Sequence, residues 1–143
     1  MPGGESLRLQ QYYAYKHNAF WKIMGELLGF SPELEYQERL TCLRMYGVAL
    51  WDVLQSCHRE GSLDSSIRNP VPNEIPRLLD MCPDIRKIVC NGRASGKYLL
   101  KYFPNLKVPV EILPSTSPAA AVYSYTEKLN CWKAAVLPTL SKV

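Results

Sequence analysis

A chain of 143 residues, 47% hydrophobic and 21% charged, has the makeup of one ordinary globular domain over residues 1–143, not of a disordered segment. It holds no apolar run of the roughly 18 residues that a membrane span needs, and Met1-Pro2-Gly3-Gly4-Glu5 lacks signal-peptide anatomy, so a cytoplasmic protein without a membrane partner is expected. Seventeen basic against thirteen acidic side chains leave +4, which permits a polyanionic partner without demanding one. The cysteines at 42, 57, 82, 90 and 131 are odd in number and never at Cys-x-x-Cys spacing, which excludes a zinc ribbon, an iron–sulfur signature and a disulfide scaffold. With only His17 and His58 beside them, no metal and no cofactor are expected.

In chain order, residues 17–29 read as an amphipathic helix with Phe20, Ile23, Met24, Leu27 and Leu28 on one stripe. Pro32 starts a second helical stretch to about Leu43, and Tyr46 to Trp51 is a short apolar run of strand type followed by Asp52. Residues 59–73 are polar and rich in turn formers, as in a long loop, and a short helix from Glu74 to Met81 follows. The second half alternates: strand Ile85–Cys90, helix Ala94–Tyr102, strand Val108–Leu113, and a final helix from Pro118 to about Ala135 with Ser117 as its cap. Trp51 and Trp132 read as core.

Alternation of this kind with short connections predicts an α/β fold, a three-layer αβα sandwich around a short, mostly parallel central sheet. Pro2-Gly3-Gly4 has the character of a loop leaving a strand, yet almost nothing precedes it. A first strand is therefore expected to be missing, or the sheet manages without it.

Ligands of open parallel sheets bind beyond the carboxyl ends of the strands. The segments following each expected strand, Pro2-Gly3-Gly4, Asp52, Asn91-Gly92 and Pro114-Ser115-Thr116-Ser117-Pro118, all fall at one rim. Each has a plain reading as well. Asn91-Gly92 is a hairpin dipeptide, although the residues after it run helical. The loop before Pro118 is either a simple helix cap or a phosphate site built from three hydroxyls and free helix N–H groups. Asn18 is either the cap of the first helix or a functional amide, and Tyr12, Tyr13 and Tyr15 are either half-buried core or stacking surfaces for a base. Gly92 to Tyr98 fails as a P-loop because it has three residues where four belong and Tyr98 where Ser or Thr must stand.

The rim residues also carry a likeness. Pro2-Gly3-Gly4-Glu5-Ser6-Leu7, Gln10-Gln11-Tyr12-Tyr13-Ala14 and Asn18-Ala19-Phe20-Trp21 resemble the first motif of the uracil-DNA glycosylase superfamily, and more closely that of its hypoxanthine-DNA glycosylase branch. Asn91-Gly92 is similar to the superfamily's base-recognition strand end, and Leu113 to Ala119 to the loop that enters the minor groove. The likeness also takes in Leu50 to Val53 and Arg59 to Asp64. Mismatch-type relatives carry a catalytic Asn directly before Pro-Gly; Met1 stands there, so the resemblance assigns the catalytic amide to Asn18. Tyr15-Lys16 replaces the usual His-Pro, and Ala120 stands where Asn is common.

What the resemblance implies is a monofunctional DNA glycosylase. It hydrolyses the N-glycosidic bond of a flipped, deaminated base, hypoxanthine before uracil, in base excision repair, and works as a monomer at the nucleoid. Asn18 orients the attacking water or stabilises the developing charge. Asn91 reads the base edge, because a deaminated base sets a carbonyl beside a ring N–H and a carboxamide matches both. Phe20 or Tyr13 is the stacking platform, the backbone of Pro2, Gly3 and Gly4 approaches the base or sugar, and the loop from Pro114 through Ser115, Thr116 and Ser117 to Pro118 binds DNA phosphates. The rival reading is a noncatalytic glycosylase-like module that binds DNA or a nucleotide; a flavodoxin-like domain is set aside for want of a cofactor loop.

Overall fold

The computed structural model describes residues 11–58 and 68–141. Pro2, Gly3, Gly4 and the stretch from Arg59 to Asp64 lie outside the described residues.

Helix α1 (Phe20–Leu28) buries Phe20, Ile23, Met24 and Leu28 of the stripe that the apolar periodicity predicts, with Leu27 partly buried beside them, and ends at Gly29 in the left-handed conformation. Helix α2 (Tyr36–Met45) runs two residues past its expected end. The reason is a helix stop: Val48 N–H bonds the Leu43 carbonyl and Gly47 N–H that of Arg44, a pair that requires the left-handed φ of +78° at Gly47. Tyr46–Trp51 is therefore not a strand. Trp51, expected in the core, is 58% exposed.

The chain instead pairs later. Strand β1 (Leu54–His58) runs antiparallel to β2 (Arg68–Pro72), with register shifts between Leu54, Ser56 and His58. The expected loop 59–73 thus contributes a strand, and Asp52 precedes one instead of following one. Pro70 and Pro72 are poor residues for a central strand, yet they fit the irregular two-stranded ladder formed among the described residues. Helix α3 (Ile75–Met81) then leads to the parallel pair β3 (Ile88–Asn91) and β4 (Val110–Leu113), joined across helix α4 (Arg93–Tyr102).

Alternation along this parallel pair defines the layers. Cys90, with Ile88 and Val110 around it, packs on Leu99 of α4 and Ile75 of α3. Val89 and Leu113 point the other way, into the larger core of Phe20, Trp21, Ile23, Met24 and Trp132. Helices thus cover both faces of the sheet, and the fold is α/β as the sequence predicts.

Helix α5 (Tyr125–Val136) begins seven residues after the expected start. Ser124 accepts from Glu127 N–H at 3.1 Å and Glu127 accepts from Ser124 N–H at 3.2 Å. This reciprocal cap outcompetes Ser117-Pro118, which forms a turn closed by Ala120 N–H to the Ser117 carbonyl. Consequently the N-terminus of α5 does not stand behind the Ser115–Ser117 hydroxyls, and the part of the expected phosphate site that this helix would supply is absent. Among the described residues, no helix is long and apolar enough to cross a membrane.

Candidate active site

The carboxyl ends of β3 and β4 open onto a cavity of about 1220 Å³ among the described residues, which Tyr13, Asn18, Asp52, Asn91, Ser115 and Thr116 help to line. Of the rim expected from the sequence, Asp52, Asn91 and Ser115 to Pro118 line this cavity, while Pro2, Gly3 and Gly4 lie outside the described residues. Phe20 belongs to it only from behind: it is 2% exposed, with Tyr13 stacked on it at 4.0 Å and 24° and the rings of Trp21 and Trp132 edge-on at 5.0 and 6.0 Å.

Tyr13 is held in an unusual backbone conformation, φ +56°, which costs a non-glycine residue energy unless its surroundings impose it. The neighbouring residue shows how. Tyr12 N–H bonds the Tyr36 hydroxyl at 3.0 Å, and the Tyr12 carbonyl accepts from Trp21 Nε1 at 2.9 Å, tying the segment to α1 and α2. Burial pushes the Tyr13 phenol up to about 12, with a hydrogen bond from Asn91 working in the opposite direction, so the hydroxyl stays neutral at working pH.

Asn18 stands one residue before the N-cap, which is Ala19, yet its Oδ1 still satisfies one free N–H of the helix start, that of Phe20, at 2.9 Å. That engages one oxygen lone pair and leaves the second available, and no described residue accepts from its Nδ2. Both plain and functional readings of this residue are thus compatible in one geometry.

Asn91 is more fully engaged. Thr116 N–H donates to Asn91 Oδ1 at 2.8 Å, and Asn91 Nδ2 donates to Thr116 Oγ1 at 2.9 Å. A backbone N–H only donates, so it identifies Oδ1 and sets the amide's orientation. Thr116 is 1% exposed, and its carbonyl accepts from Ala19 N–H at 2.9 Å. Gly92, at φ +102°, lets Ser115 come close: a Cβ there would lie 3.0 Å from the Ser115 Cβ.

The same loop is held from α5. Trp132 Nε1 donates to the Pro114 carbonyl at 2.9 Å, and Lys128 Nζ to the Ser117 carbonyl at 3.0 Å. Lys128 is 6% exposed, and burial lowers its ammonium below the usual lysine range. Sequence reasoning misses Lys128. Its signal is position: it lies four residues before Trp132, on the face of α5 that is otherwise apolar. Ser115 Oγ accepts from Ser117 N–H at 3.1 Å, and Ser117 Oγ from Ala119 N–H at 3.2 Å, and no described residue accepts from either hydroxyl.

Asp52 faces the same cavity. Burial raises its carboxyl above the usual range, and no described residue donates to it; the bond from Asn73 Nδ2, 2.7 Å, goes to its backbone carbonyl. Among the described residues no three metal-ligating side chains cluster.

The protein is of the α/β class, with a cavity at the ends of a short parallel sheet lined by an amide, an aromatic stacked on a buried ring and a hydroxyl-bearing loop. Comparison with known families narrows that class. The profile described as the Uracil DNA glycosylase superfamily matches residues 1–141, and the chain belongs to that superfamily of DNA glycosylases. It is similar to a hypoxanthine DNA glycosylase of Methanosarcina acetivorans, 35% identical over 137 residues that cover 94% of this chain and 84% of the relative. It also resembles a hypoxanthine DNA glycosylase of Methanosarcina barkeri, 36% identical over 99 residues, 68% of this chain and 63% of the relative. A solution NMR structure of a candidate uracil DNA glycosylase from Methanosarcina acetivorans superposes with a TM-score of 0.81 at 34% identity, covering 96% of this chain and 85% of that one.

Proposed function

We propose that this chain is a monofunctional DNA glycosylase of base excision repair that hydrolyses the N-glycosidic bond of a flipped, deaminated base, with hypoxanthine as the favoured base. The observation that carries the reading is the convergence of Asn18, Tyr13, Asn91 and the Ser115–Ser117 loop on one cavity in a chain of this superfamily. The base named for the two Methanosarcina relatives supports hypoxanthine over uracil.

A base inside a duplex must leave the stack before its glycosidic bond is reachable. Tyr13, braced on Phe20, offers a ring surface for the extruded base. Asn91 presents one remaining Oδ1 lone pair, since Thr116 N–H takes the other, while one Nδ2 hydrogen goes to Thr116 Oγ1. An acceptor in a fixed direction suits the ring N–H of hypoxanthine or uracil, and it repels the ring-nitrogen lone pair that adenine and cytosine present at that place.

Bond cleavage sends the glycosidic electron pair to the base and leaves an oxocarbenium-like sugar; water adds its oxygen to the anomeric carbon, and the proton it gives up to solvent is balanced by one that the departing base takes up. The free lone pair and amide hydrogens of Asn18 hold that water or face the developing charge, in a position fixed beforehand by its bond to Phe20 N–H. The Ser115 and Ser117 hydroxyls donate to phosphates flanking the flipped nucleotide, which positions the duplex without reading its sequence. The protein works as a monomer on DNA in the cytoplasm, at the nucleoid, in this proposal.

The test is single-turnover excision with protein in excess over labelled duplexes carrying hypoxanthine, uracil or only normal bases. Hypoxanthine release that disappears in Asn18→Ala is the expected result. Uracil release alone moves the specificity, and duplex binding without release of any base supports the noncatalytic module.

A further inference from the structure

We propose that Thr116 is a positioning residue for excision: it clamps the amide of Asn91 and the start of α1 into one arrangement with the DNA-facing loop. The inference rests on the glycosylase reading above.

Thr116 sits in a loop between a strand and a helix, yet it is 1% exposed. Its three polar groups are all engaged outside its own loop. The N–H and Oγ1 pair with the two ends of the Asn91 amide, and the carbonyl takes the N–H of Ala19, the residue next to Asn18. Leaving any of these buried groups unpaired costs more than the bond itself contributes, so the three hold or fail together.

Two consequences reach the chemistry. The first concerns orientation. If the Asn91 amide rotated end for end, its NH₂ would face the Thr116 N–H, two donors nose to nose. The pair therefore keeps Oδ1 and its spare lone pair in one direction, and the discrimination assigned to Asn91 depends on Thr116. The second concerns distance. The loop is joined to the residue next to Asn18 by the bond from Ala19 N–H to the Thr116 carbonyl at 2.9 Å. A duplex seated on Ser115 and Ser117 is thereby registered against Asn18, and small misplacements of reacting groups cost large factors in rate.

The experiment uses the full chain with Thr116→Val, which keeps the branched shape and removes the hydroxyl, and Thr116→Ser, which restores it. In Thr116→Val the backbone N–H still meets Oδ1, but Asn91 Nδ2 loses its acceptor and the amide is held at one end only, so single-turnover release of hypoxanthine falls about tenfold to a hundredfold and selectivity for hypoxanthine over adenine narrows. Affinity for a duplex with a stable abasic analogue stays within about threefold, and Thr116→Ser returns rate and selectivity toward wild type. Unchanged rate and selectivity in Thr116→Val overturns the proposal. So does a loss of rate matched by an equal loss of abasic-duplex affinity with no rescue by serine, the pattern of a merely structural residue.

Amide hydrogen exchange separates this inference from the glycosylase reading. In Asn91→Ala the Ala19 amide exchanges at least about tenfold faster, whereas the Gly29 amide, bonded to Gly25 at the far end of α1, is unchanged. Equal exchange at Ala19 overturns the clamp whatever the enzyme does. Wild-type protein that excises no base overturns the glycosylase reading, and the exchange rate at Ala19 then decides alone whether the clamp exists.

Discussion

The two sides of the cavity are built on opposite patterns of hydrogen bonding. On the loop side, from Pro114 to Ser117, the carbonyls of Pro114, Thr116 and Ser117 each have a partner from another element, and both remaining polar groups of Thr116 are paired with Asn91. On the other side, Tyr13 holds φ +56°, Asn18 uses one lone pair of its amide, and the Asp52 carboxyl has no described donor. The difference separates holding from acting. Satisfied buried groups fix geometry because rearranging them strands a donor or acceptor. Groups with spare capacity are the ones that can meet a guest.

Asn18→Ala cuts most sharply across that division. Excision falls by about 10²–10³-fold or more, as when a preorganised polar group is removed elsewhere. Stability drops by only about 1 kcal/mol, the worth of one bond to a helix-start N–H. Single-turnover rates and urea melts on the same preparation check both halves, and a stability loss large enough to account for the missing rate would erase the distinction.

Gly92→Ala attacks the holding side. Forcing alanine to φ +102° and a Cβ to within 3.0 Å of the Ser115 Cβ costs about 2 kcal/mol or more, and it displaces the loop, so stability and excision fall together. Trp132→Phe is milder. It keeps the ring packing against Phe20 but leaves the Pro114 carbonyl without its donor, at about 1–2 kcal/mol by urea denaturation.

The smallest effect, and the one of opposite sign, belongs to Asp52. Burial raises its carboxyl in the folded state, so the native protein binds the proton more tightly than the unfolded chain. Stability from this group is complete below the unfolded carboxylate value near 4 and declines as pH rises through the raised native value. Asp52→Asn therefore raises the melting temperature by a few degrees at most near pH 7, and the gain shrinks toward pH 3. Destabilisation at neutral pH would mean that Asp52 holds the fold as the loop side does.

Much of the architecture is legible without coordinates because it follows from local periodicity. The stripe of α1, the α4 helix and the parallel pair β3–β4 all lie within a few residues of where apolar spacing puts them. What escapes are contests between equally good local signals. Ser117-Pro118 and Ser124 with Glu127 are both respectable helix starts, and only the second makes two reciprocal bonds. Tyr46–Trp51 has strand-like composition, but the glycine stop of α2 claims its first residues, and the antiparallel pairing of Leu54–His58 with Arg68–Pro72 is a long-range choice.

The amino-acid sequence by itself determined the α/β class, the parallel pair β3–β4 and the amide and hydroxyls at its carboxyl ends, because each depends on side-chain period and residue type. Only the tertiary structure decided how those groups are shared out. Whether Asn91 is free or paired, whether Phe20 is a platform or a brace, and that a lysine four residues before Trp132 secures the loop all depend on partners 11 to 25 residues away or more. A hydrogen bond needs two groups within about 3 Å, and no local pattern of residues specifies the second one.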